Sequence, residues 1–162
     1  MDRLWSPWRF DYVRKIDPAS TAGVCPFCAI LAETRDSENL ILHRGRGAFV
    51  VLNLFPYTVA HLLVVANRHV PRLADLERDE VHEIADLGQR CEAALASEYR
   101  PEGFNLGFNI GRAAGAGVAH HIHMHVLPRW PGDANFISVI SETRVLPEEL
   151  PATWGRLKPY FA

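Results

Sequence analysis

The segment HHIHMHVLPRW, residues 120–130, constrains the fold more than any other, because it places four of the chain's eight histidines within six residues. In a β-strand, successive side chains point to opposite faces, so His121, His123 and His125 share one face. The apolar residues between them share the other face and can enter a core. His120 points away or belongs to the preceding bend. The pattern predicts one wall of a site built from three imidazoles.

Three interpretations of this wall are open from the residues alone. The histidines are polar side chains of a solvated sheet face, ligands of a metal ion, or a catalytic group in which one imidazole is a nucleophile. The upstream loop IGRAAGAGVA bears on the choice, because Gly111, Gly115 and Gly117 offer backbone N–H groups that can line an anion site. A glycine-rich loop that leads directly into three in-phase histidines favours phosphate chemistry.

The periodicity of the rest of the chain predicts the fold class. Four segments have the alternation or the apolar content of strands: 48–57, 60–68, 104–111 and 121–129. Between 70 and 99, apolar residues recur mostly at helical spacing, which predicts one long helix with Asp75 as the N-cap of its main body. Strands on both sides of one helix predict an α+β fold with an antiparallel sheet.

The overall composition restricts the class of protein. The 162 residues suit one domain, and a formal charge of −2 gives no basic field for duplex nucleic acid. No apolar run is long enough to cross a membrane, and the N-terminus lacks the apolar core of a signal peptide. Three cysteines are too sparse for a disulfide framework. These features predict a cytoplasmic protein with neither a membrane nor a duplex nucleic acid as partner.

Two cysteines in VCPFCAI, Cys25 and Cys28, have the spacing of half a zinc site. The same spacing occurs in redox pairs, although these usually open a helix after a strand in a βαβ unit, and that context is missing here. The residues alone leave zinc, redox and plain reduced thiols open. Cys91 lies on the apolar stripe of the predicted helix and is interpreted as a core residue.

The stretch GAGVAHHIHMHVLPRW, preceded by GFNLGFNIG, resembles the signature of the histidine triad (HIT) superfamily of nucleotide hydrolases and transferases. LWSPWR near the start and PRWPGDANFISVI after the triad resemble its bacterial branch, similar to diadenosine tetraphosphate phosphorylases and Fhit-type dinucleoside polyphosphate hydrolases. The resemblance implies a HIT-like fold over residues 25–140, with a zinc-bound N-terminal segment, and a homodimer. Residues 1–24 would form an arm. Residues 141–162 would be a C-terminal extension that packs on the domain or on the partner subunit.

The resemblance also implies roles for the histidines. His123 would attack the α-phosphorus of a nucleotide and form a nucleotidyl-histidine intermediate, which water or inorganic phosphate would resolve. The backbone of His121 would fix the second nitrogen of His123, and His125 would hold the phosphate or the leaving oxygen. The backbone of the preceding loop would stabilise charge on the phosphate oxygens; its residues are Gly115, Ala116, Gly117 and Val118.

Other residues match family positions outside the triad strand. Asn53 matches a ribose-contacting asparagine and Asn109 a phosphate-side asparagine, although each is equally explained as an asparagine bonding its own backbone. His61 matches a histidine that supports the triad from the neighbouring strand. Members with C-x-x-C near the start bind zinc through two further histidines, which correspond here to His69 and His121.

The loop before the triad departs from the usual family pattern. Many members carry Gly-Gln-Ser or Gly-Gln-Thr there, whereas this chain has GAG and one residue more before the triad. With Ala116 or Gly117 in place of the glutamine, the anion site would rely more on backbone. This weakens the comparison with the glutamine-bearing hydrolases and favours a transferase or phosphorylase.

The function expected from these features is cleavage of a nucleoside phosphate anhydride, with diadenosine tetraphosphate or a related dinucleoside polyphosphate as substrate. The alternatives are an adenylate hydrolase acting on phosphoramidate or aminoacyl compounds, a non-catalytic nucleotide-binding module, and a metal-dependent hydrolase or oxygenase whose three histidines share one ion. Trp130 and Phe136 could stack on a purine, although core packing or a dimer contact explains them more simply. Arg129 could contact phosphate or form a surface ion pair.

Overall fold

The computed structural model describes residues 25–133 and 148–162. Its centre is a five-stranded antiparallel sheet with the order β1-β2-β3-β5-β4, and one long helix packs against it. The expected α+β fold is confirmed. The expected arm of residues 1–24, and Phe136, lie outside the described residues. No helix in the described ranges has the length and apolarity needed to cross a membrane.

Four of the five strands correspond to the segments that the sequence predicts, although each is shorter than its segment and β4 begins one residue before its segment. The strands are β1 (Ile41–Arg44), β2 (Ala48–Leu52), β3 (Leu62–Ala66), β4 (Gly103–Phe108) and β5 (His123–Arg129). The short strand β1 was not predicted, because an apolar run of three residues, 40–42, carries little periodicity. Every residue of β2 and β3 is buried, as expected of strands in the middle of a covered sheet.

The long helix, α2 (Arg78–Tyr99), starts later than the sequence predicts. Its N-cap is Glu77 and not Asp75, so that prediction is wrong. Glu77 and Glu80 form a capping box, in which the Glu77 backbone N–H donates to the Glu80 carboxylate at 2.7 Å. Asp75 instead lies in a 3₁₀ turn, where its carboxylate accepts two hydrogen bonds from Arg72.

A short helix, α1 (Pro26–Ala32), precedes the sheet and contains Cys28. Arg44, at the end of β1, binds backbone carbonyl groups at the C-terminal end of α1. The guanidinium donates to the carbonyl of Leu31 at 2.7 Å and to that of Glu33 at 2.6 Å. The last carbonyl groups of a helix have no hydrogen-bond donor within the helix. The Arg44 guanidinium supplies donors to them, and its positive charge interacts favourably with the helix dipole.

The C-terminal segment, 148–162, packs on the domain. It contains helix α3 (Leu150–Leu157), and a 3₁₀ turn follows it. The indole N–H of Trp154 donates to the carbonyl of Ile41 at 3.0 Å, and the ammonium of Lys158 donates to the carbonyl of Leu42 at 2.7 Å. The expected extension therefore contacts strand β1 through its described part.

Candidate active site

Strands β3 and β5 bring four histidines together. The two strands pair in antiparallel register, with Leu63 opposite His125 and Val65 opposite His123. His121 lies two residues before the first residue of β5, and His61 lies immediately before β3. The histidines are all nearly inaccessible: His61 and His121 are each 1% exposed, His123 is 5% and His125 is 7%. A solvated sheet face therefore does not explain the histidine run.

In the His123 ring, Nδ1 makes a hydrogen bond, whereas Nε2 has no hydrogen-bond partner among the described residues. Its Nδ1 lies 2.8 Å from the carbonyl oxygen of His121, which can only accept, so Nδ1 carries the proton and donates. Nε2 then keeps its lone pair. Burial lowers the pKa of His123 below its ordinary value, and the bond to His121 opposes this only in part. The outcome is a neutral imidazole with a free Nε2, which is the form that a nucleophile requires.

A chain of hydrogen bonds fixes which ring nitrogen carries the proton in His61 and in His125. The backbone N–H of Tyr57 donates to Nδ1 of His61 at 3.1 Å, so the proton of His61 is on Nε2. That Nε2 lies 2.9 Å from Nδ1 of His125, which must therefore accept. His125 then carries its proton on Nε2. The side-chain amide of Asn109 lies 3.3 Å from this nitrogen and must turn its oxygen toward it.

Asn53 also lies at His61. Its amide nitrogen is 3.2 Å from Nδ1 of His61, and its amide oxygen accepts the backbone N–H of Phe55 at 3.0 Å. The structure thus brings Asn53 and Asn109 to opposite ends of the same hydrogen-bonded chain. The sequence predicts both asparagines near the substrate, but it gives no sign of their contacts with the histidines. The Tyr57 backbone donor cannot be predicted from the sequence either, because a main-chain N–H leaves no signal in side-chain patterns.

The glycine-rich loop is a compact turn with two donors left over. Gly111 and Gly115 have positive φ values of 82° and 85°, a conformation that favours glycine. The N–H of Gly115 bonds the carbonyl of Arg112, and the N–H of Ala116 bonds that of Gly111. Within the described parts of the chain, the N–H groups of Gly117 and Val118 make no such bond. Of the four backbone donors expected for phosphate, these two are available.

A second cluster joins the short helix α1 to the start of strand β5. The ligand atoms of Cys25, Cys28, His69 and His121 all lie within 4.8 Å of one another. Sγ of Cys25 is 3.3 Å from Nδ1 of His121, and Sγ of Cys28 is 3.3 Å from Nδ1 of His69. Nε2 of His121 lies 2.6 Å from the carbonyl oxygen of Ala66, so its proton is there and Nδ1 has a free lone pair.

The donor set fits a tetrahedral zinc ion. Zinc binds thiolate at about 2.3 Å and imidazole at about 2.0 Å, which separates sulfur from nitrogen by about 3.5 Å. The observed separations of 3.3 and 3.6 Å between sulfur and the nitrogen of His121 are close to this value. Two cysteines and two histidines form a closed set without an open position, which is typical of structural zinc. The histidine strand therefore serves two sites, since His121 faces the cysteines while His123 and His125 do not.

Other residues singled out by the sequence have ordinary environments. His82 is exposed, and Cys91 is fully buried, where desolvation raises its thiol pKa to about 12. Arg129 forms a bidentate ion pair with Asp133 at 2.6 and 2.8 Å, so the surface ion pair is the correct interpretation. Trp130 is half-buried. Sequence reasoning did not single out Phe27, which lies between the two cysteines and packs against the rings of His121 and His123.

Comparisons with known proteins find similar sequences over most of the chain. Residues 34–132 match the family model of the HIT domain. The chain is 40% identical to an AP-4-A phosphorylase of Mycobacterium tuberculosis over 157 residues, which cover 94% of this chain and 80% of the relative. It is 35% identical to a bifunctional bis(5'-adenosyl)-triphosphatase/adenylylsulfatase of Arabidopsis thaliana, over 53% of this chain and 47% of that protein.

A solved structure has the same fold together with a metal. It is the zinc-bound histidine triad family protein from Mycobacterium smegmatis, which superposes with a TM-score of 0.67 at 27% sequence identity. The match covers 84% of this chain and 91% of that protein.

Proposed function

The chain belongs to the HIT domain family, and on that basis we propose that it is an enzyme that cleaves dinucleoside polyphosphates, with diadenosine tetraphosphate as the best candidate substrate. The observation that carries the proposal is the hydrogen bond from Nδ1 of His123 to the His121 carbonyl, which leaves the lone pair on Nε2, a nitrogen without a hydrogen-bond partner among the described residues. The AP-4-A phosphorylase relative, aligned over nearly the whole chain, supports the choice of substrate.

In the first step, the Nε2 lone pair of His123 attacks the α-phosphorus of the substrate. A P–N bond forms while the bond from that phosphorus to the bridging oxygen breaks, and the electron pair leaves with the oxygen of ATP. His125 carries an N–H on Nε2, which would exchange its Asn109 partner for the leaving oxygen or for a phosphate oxygen. The N–H groups of Gly117 and Val118, which make no backbone hydrogen bond within residues 25–133 and 148–162, would stabilise negative charge on the phosphate oxygens.

In the second step, an oxygen of inorganic phosphate attacks the phosphorus of the adenylyl-histidine. The new P–O bond gives ADP, and the P–N bond breaks so that its electron pair returns to Nε2 of His123. Water in place of phosphate would give AMP. Phosphorolysis is proposed because the loop before the triad lacks the glutamine of many hydrolases and because the AP-4-A phosphorylase relative aligns over most of the chain.

The remaining side chains would bind the substrate or hold the histidines in place. Asn53 is proposed to contact the ribose, Asn109 the phosphate side, and His61 to hold the tautomer of His125. Zinc is proposed as the resident metal of Cys25, Cys28, His69 and His121. The ion would supply a structural crosslink there and no chemistry at phosphorus.

A product assay tests the proposal. Diadenosine tetraphosphate is incubated with the protein, with and without inorganic phosphate. ADP plus ATP formed only with phosphate is the expected result. AMP plus ATP in both tubes would identify a hydrolase. No turnover in either tube would contradict the proposed substrate class.

A second candidate is hydrolysis of an adenylate, in which the leaving group is a sulfate, amine or acyl group instead of a nucleotide. The name of the Arabidopsis relative includes an adenylylsulfatase activity, and this observation favours testing it. The attack by His123 would be the same, since both substrates present an α-phosphorus bonded to adenosine. Release of AMP from adenylyl sulfate, with no turnover of diadenosine tetraphosphate, would favour this candidate. Nucleotide binding without any turnover would favour a binding module.

We also propose that the chain forms a homodimer through strand β4, and that it is cytoplasmic. Strand β4 is at one edge of the sheet, and Asn105, Leu106 and Gly107 are exposed there. Leu106 is 43% exposed and the nearby Ile110 is 41% exposed, which is unusual for large apolar side chains so close together.

A further inference from the structure

We propose that Phe27 is a positioning residue for His123, held against the histidine ring by the metal-binding turn around it. Phe27 would keep the ring in the one orientation in which Nδ1 donates to the His121 carbonyl and Nε2 faces the substrate. The inference rests on the proposed function in one respect, because it takes His123 as the nucleophile.

The His123 ring contacts two neighbouring rings. The ring centroid of Phe27 is 5.0 Å from that of His123, with an angle of 57° between the planes. The centroid of the His125 ring is also 5.0 Å from that of His123, with an angle of 63° between the planes. Phe27 also meets the edge of His121 at 5.4 Å, and it is only 8% exposed. Phe27 is therefore part of the core at this point and not a side chain at a rim.

A single hydrogen bond does not by itself fix a histidine ring. Rotation about the Cβ–Cγ bond has broad, nearly two-fold preferences, so the ring can tilt or turn over. Turning it over would exchange the positions of ring nitrogens and ring carbons and would lose the bond to the His121 carbonyl. Since a displacement of about 1 Å at a reacting group can lower a rate by about a hundredfold, packing on the ring matters for catalysis.

The position of Phe27 depends in turn on the metal site. Helix α1 has seven residues, and a helix of that length is not stable alone, because isolated helices need about 12–15 residues. Arg44 holds its C-terminal end. No side-chain hydrogen bond caps the N-terminal end of α1. That end is attached to His121 and His69 through Cys25 and Cys28, which lie on either side of Phe27 in the sequence. The crosslink thus fixes the turn that carries the phenyl ring.

The test compares two leucine variants of the full-length, zinc-loaded protein. Phe27→Leu removes the flat ring beside His123. Phe161→Leu is the matched control, because Phe161 is 4% exposed and packs beside His43, a histidine outside the site. Three quantities are measured: zinc per chain, the Kd for AMP, and the single-turnover rate of adenylyl transfer from diadenosine tetraphosphate to His123 without phosphate.

For Phe27→Leu we expect full zinc content, an AMP Kd within about twofold of the wild type, and a transfer rate lowered by about tenfold or more. The control should keep all three values. A raised AMP Kd with an unchanged transfer rate would overturn the proposal, because Phe27 would then act on the nucleotide. An AMP Kd and a transfer rate that are both unchanged in Phe27→Leu would overturn the proposal as well.

A spectroscopic measurement separates this inference from the proposed function. Two-bond ¹H–¹⁵N correlation spectra of the histidines report which ring nitrogen carries the proton. The wild type should show one His123 tautomer, protonated on Nδ1, and Phe27→Leu should show both. A single Nδ1 tautomer in the variant would overturn the positioning role, even if the wild type turned over no dinucleotide. Phe27→Met serves for the same measurements if the leucine variant does not fold.

Discussion

At the scale of single residues, the site depends on which nitrogen of each histidine carries a proton. The His121 carbonyl sets the tautomer of His123, and the Tyr57 backbone N–H sets that of His61 and, through it, that of His125. Two main-chain groups thus give neighbouring imidazoles opposite characters: a lone pair on Nε2 of one and a proton on Nε2 of the other. This difference is what separates a nucleophile from a donor.

Replacement of His123, the proposed nucleophile, should separate the effect on the chemical step from the effect on nucleotide binding. His123→Ala removes the Nε2 lone pair, so we expect loss of turnover by about a thousandfold or more, with AMP binding largely retained. The measurement is the steady-state rate with diadenosine tetraphosphate, together with AMP titration calorimetry. His82→Ala, at an exposed histidine of α2, is the control and should behave as the wild type. Full turnover in His123→Ala would rule out the covalent mechanism.

The pH dependence should reflect the burial of His123. Burial lowers its pKa below the ordinary 6.5, so the neutral, nucleophilic form persists at pH values where a solvated histidine is already protonated. The rate of adenylyl transfer should therefore stay constant as the pH falls through 6.5 and decline only at lower pH. Single-turnover rates between about pH 5 and 8 measure this. A half-maximal rate at or above 6.5 would contradict it.

At the scale of secondary structure elements, side-chain contacts hold the short elements in place. Helix α1 is attached at one end by Arg44 and at the other by the cysteine and histidine cluster. Helix α3 is attached through Trp154 and Lys158 to the carbonyl groups of β1. Elements this short have little intrinsic stability, so their positions depend on these contacts.

Loss of one metal ligand should therefore release zinc. We expect about one zinc per chain in the wild type and strong depletion in Cys25→Ala, because a structural site needs all four ligands. Elemental analysis of the purified protein measures the content. Cys91→Ala is the matched control, since Cys91 is buried in α2 and outside the cluster, and it should retain zinc. Full zinc in Cys25→Ala would place the metal elsewhere.

The attachment of the C-terminal segment should depend on the charge of Glu148. Burial opposes ionisation of this carboxyl, but hydrogen bonds from Tyr99, Thr153 and Arg156 outweigh it and hold its pKa below the ordinary 4.5. A lowered folded-state pKa contributes stability above the unfolded-state pKa, and this contribution is lost as the pH falls through the folded-state value.

Glu148→Gln should accordingly lower the free energy of unfolding by about 1–2 kcal/mol at pH 7. The difference in the free energy of unfolding between Glu148→Gln and the wild type should shrink below pH 4.5. Urea unfolding at pH 7 and at a pH below 4.5 measures this difference. Glu149→Gln, at the exposed neighbour, should have no such effect. Equal losses in the two variants would mean that the hydrogen bonds to Glu148 are not responsible.

At the scale of the whole molecule, the sequence predicted the sheet, the long helix and the common strand of His123 and His125, because periodicity is a local pattern with a direct geometric meaning. The sequence also placed His121 on that strand, whereas in the structure His121 precedes β5 and contacts the cysteines. The sequence did not predict strand β1, the Glu77 cap or the contact of Phe27 with His123. These depend on residues far apart in sequence, such as Phe27 and His123, or on competition between nearby acidic groups.

The proposed homodimer can be tested at the exposed part of β4. Leu106→Arg should convert a dimer to a monomer, because it places a charge on the apolar surface that the proposal assigns to the interface. Light scattering after size exclusion measures the mass. Leu73→Arg is the control, since Leu73 is 36% exposed and lies in a 3₁₀ turn away from β4. A monomeric wild type, or a dimeric Leu106→Arg, would contradict the proposal.

The docking of Trp154 and Lys158 on β1 makes the two edges of the sheet unequal. Carbonyl groups of β1 are already engaged by the chain's own C-terminal segment. At the other edge, β4 pairs only with β5 among the described strands. Growth of a sheet into a fibre requires every copy to offer two open edges. A molecule with one blocked edge cannot extend such a fibre, so the proposed association through β4 would stop once two copies have met.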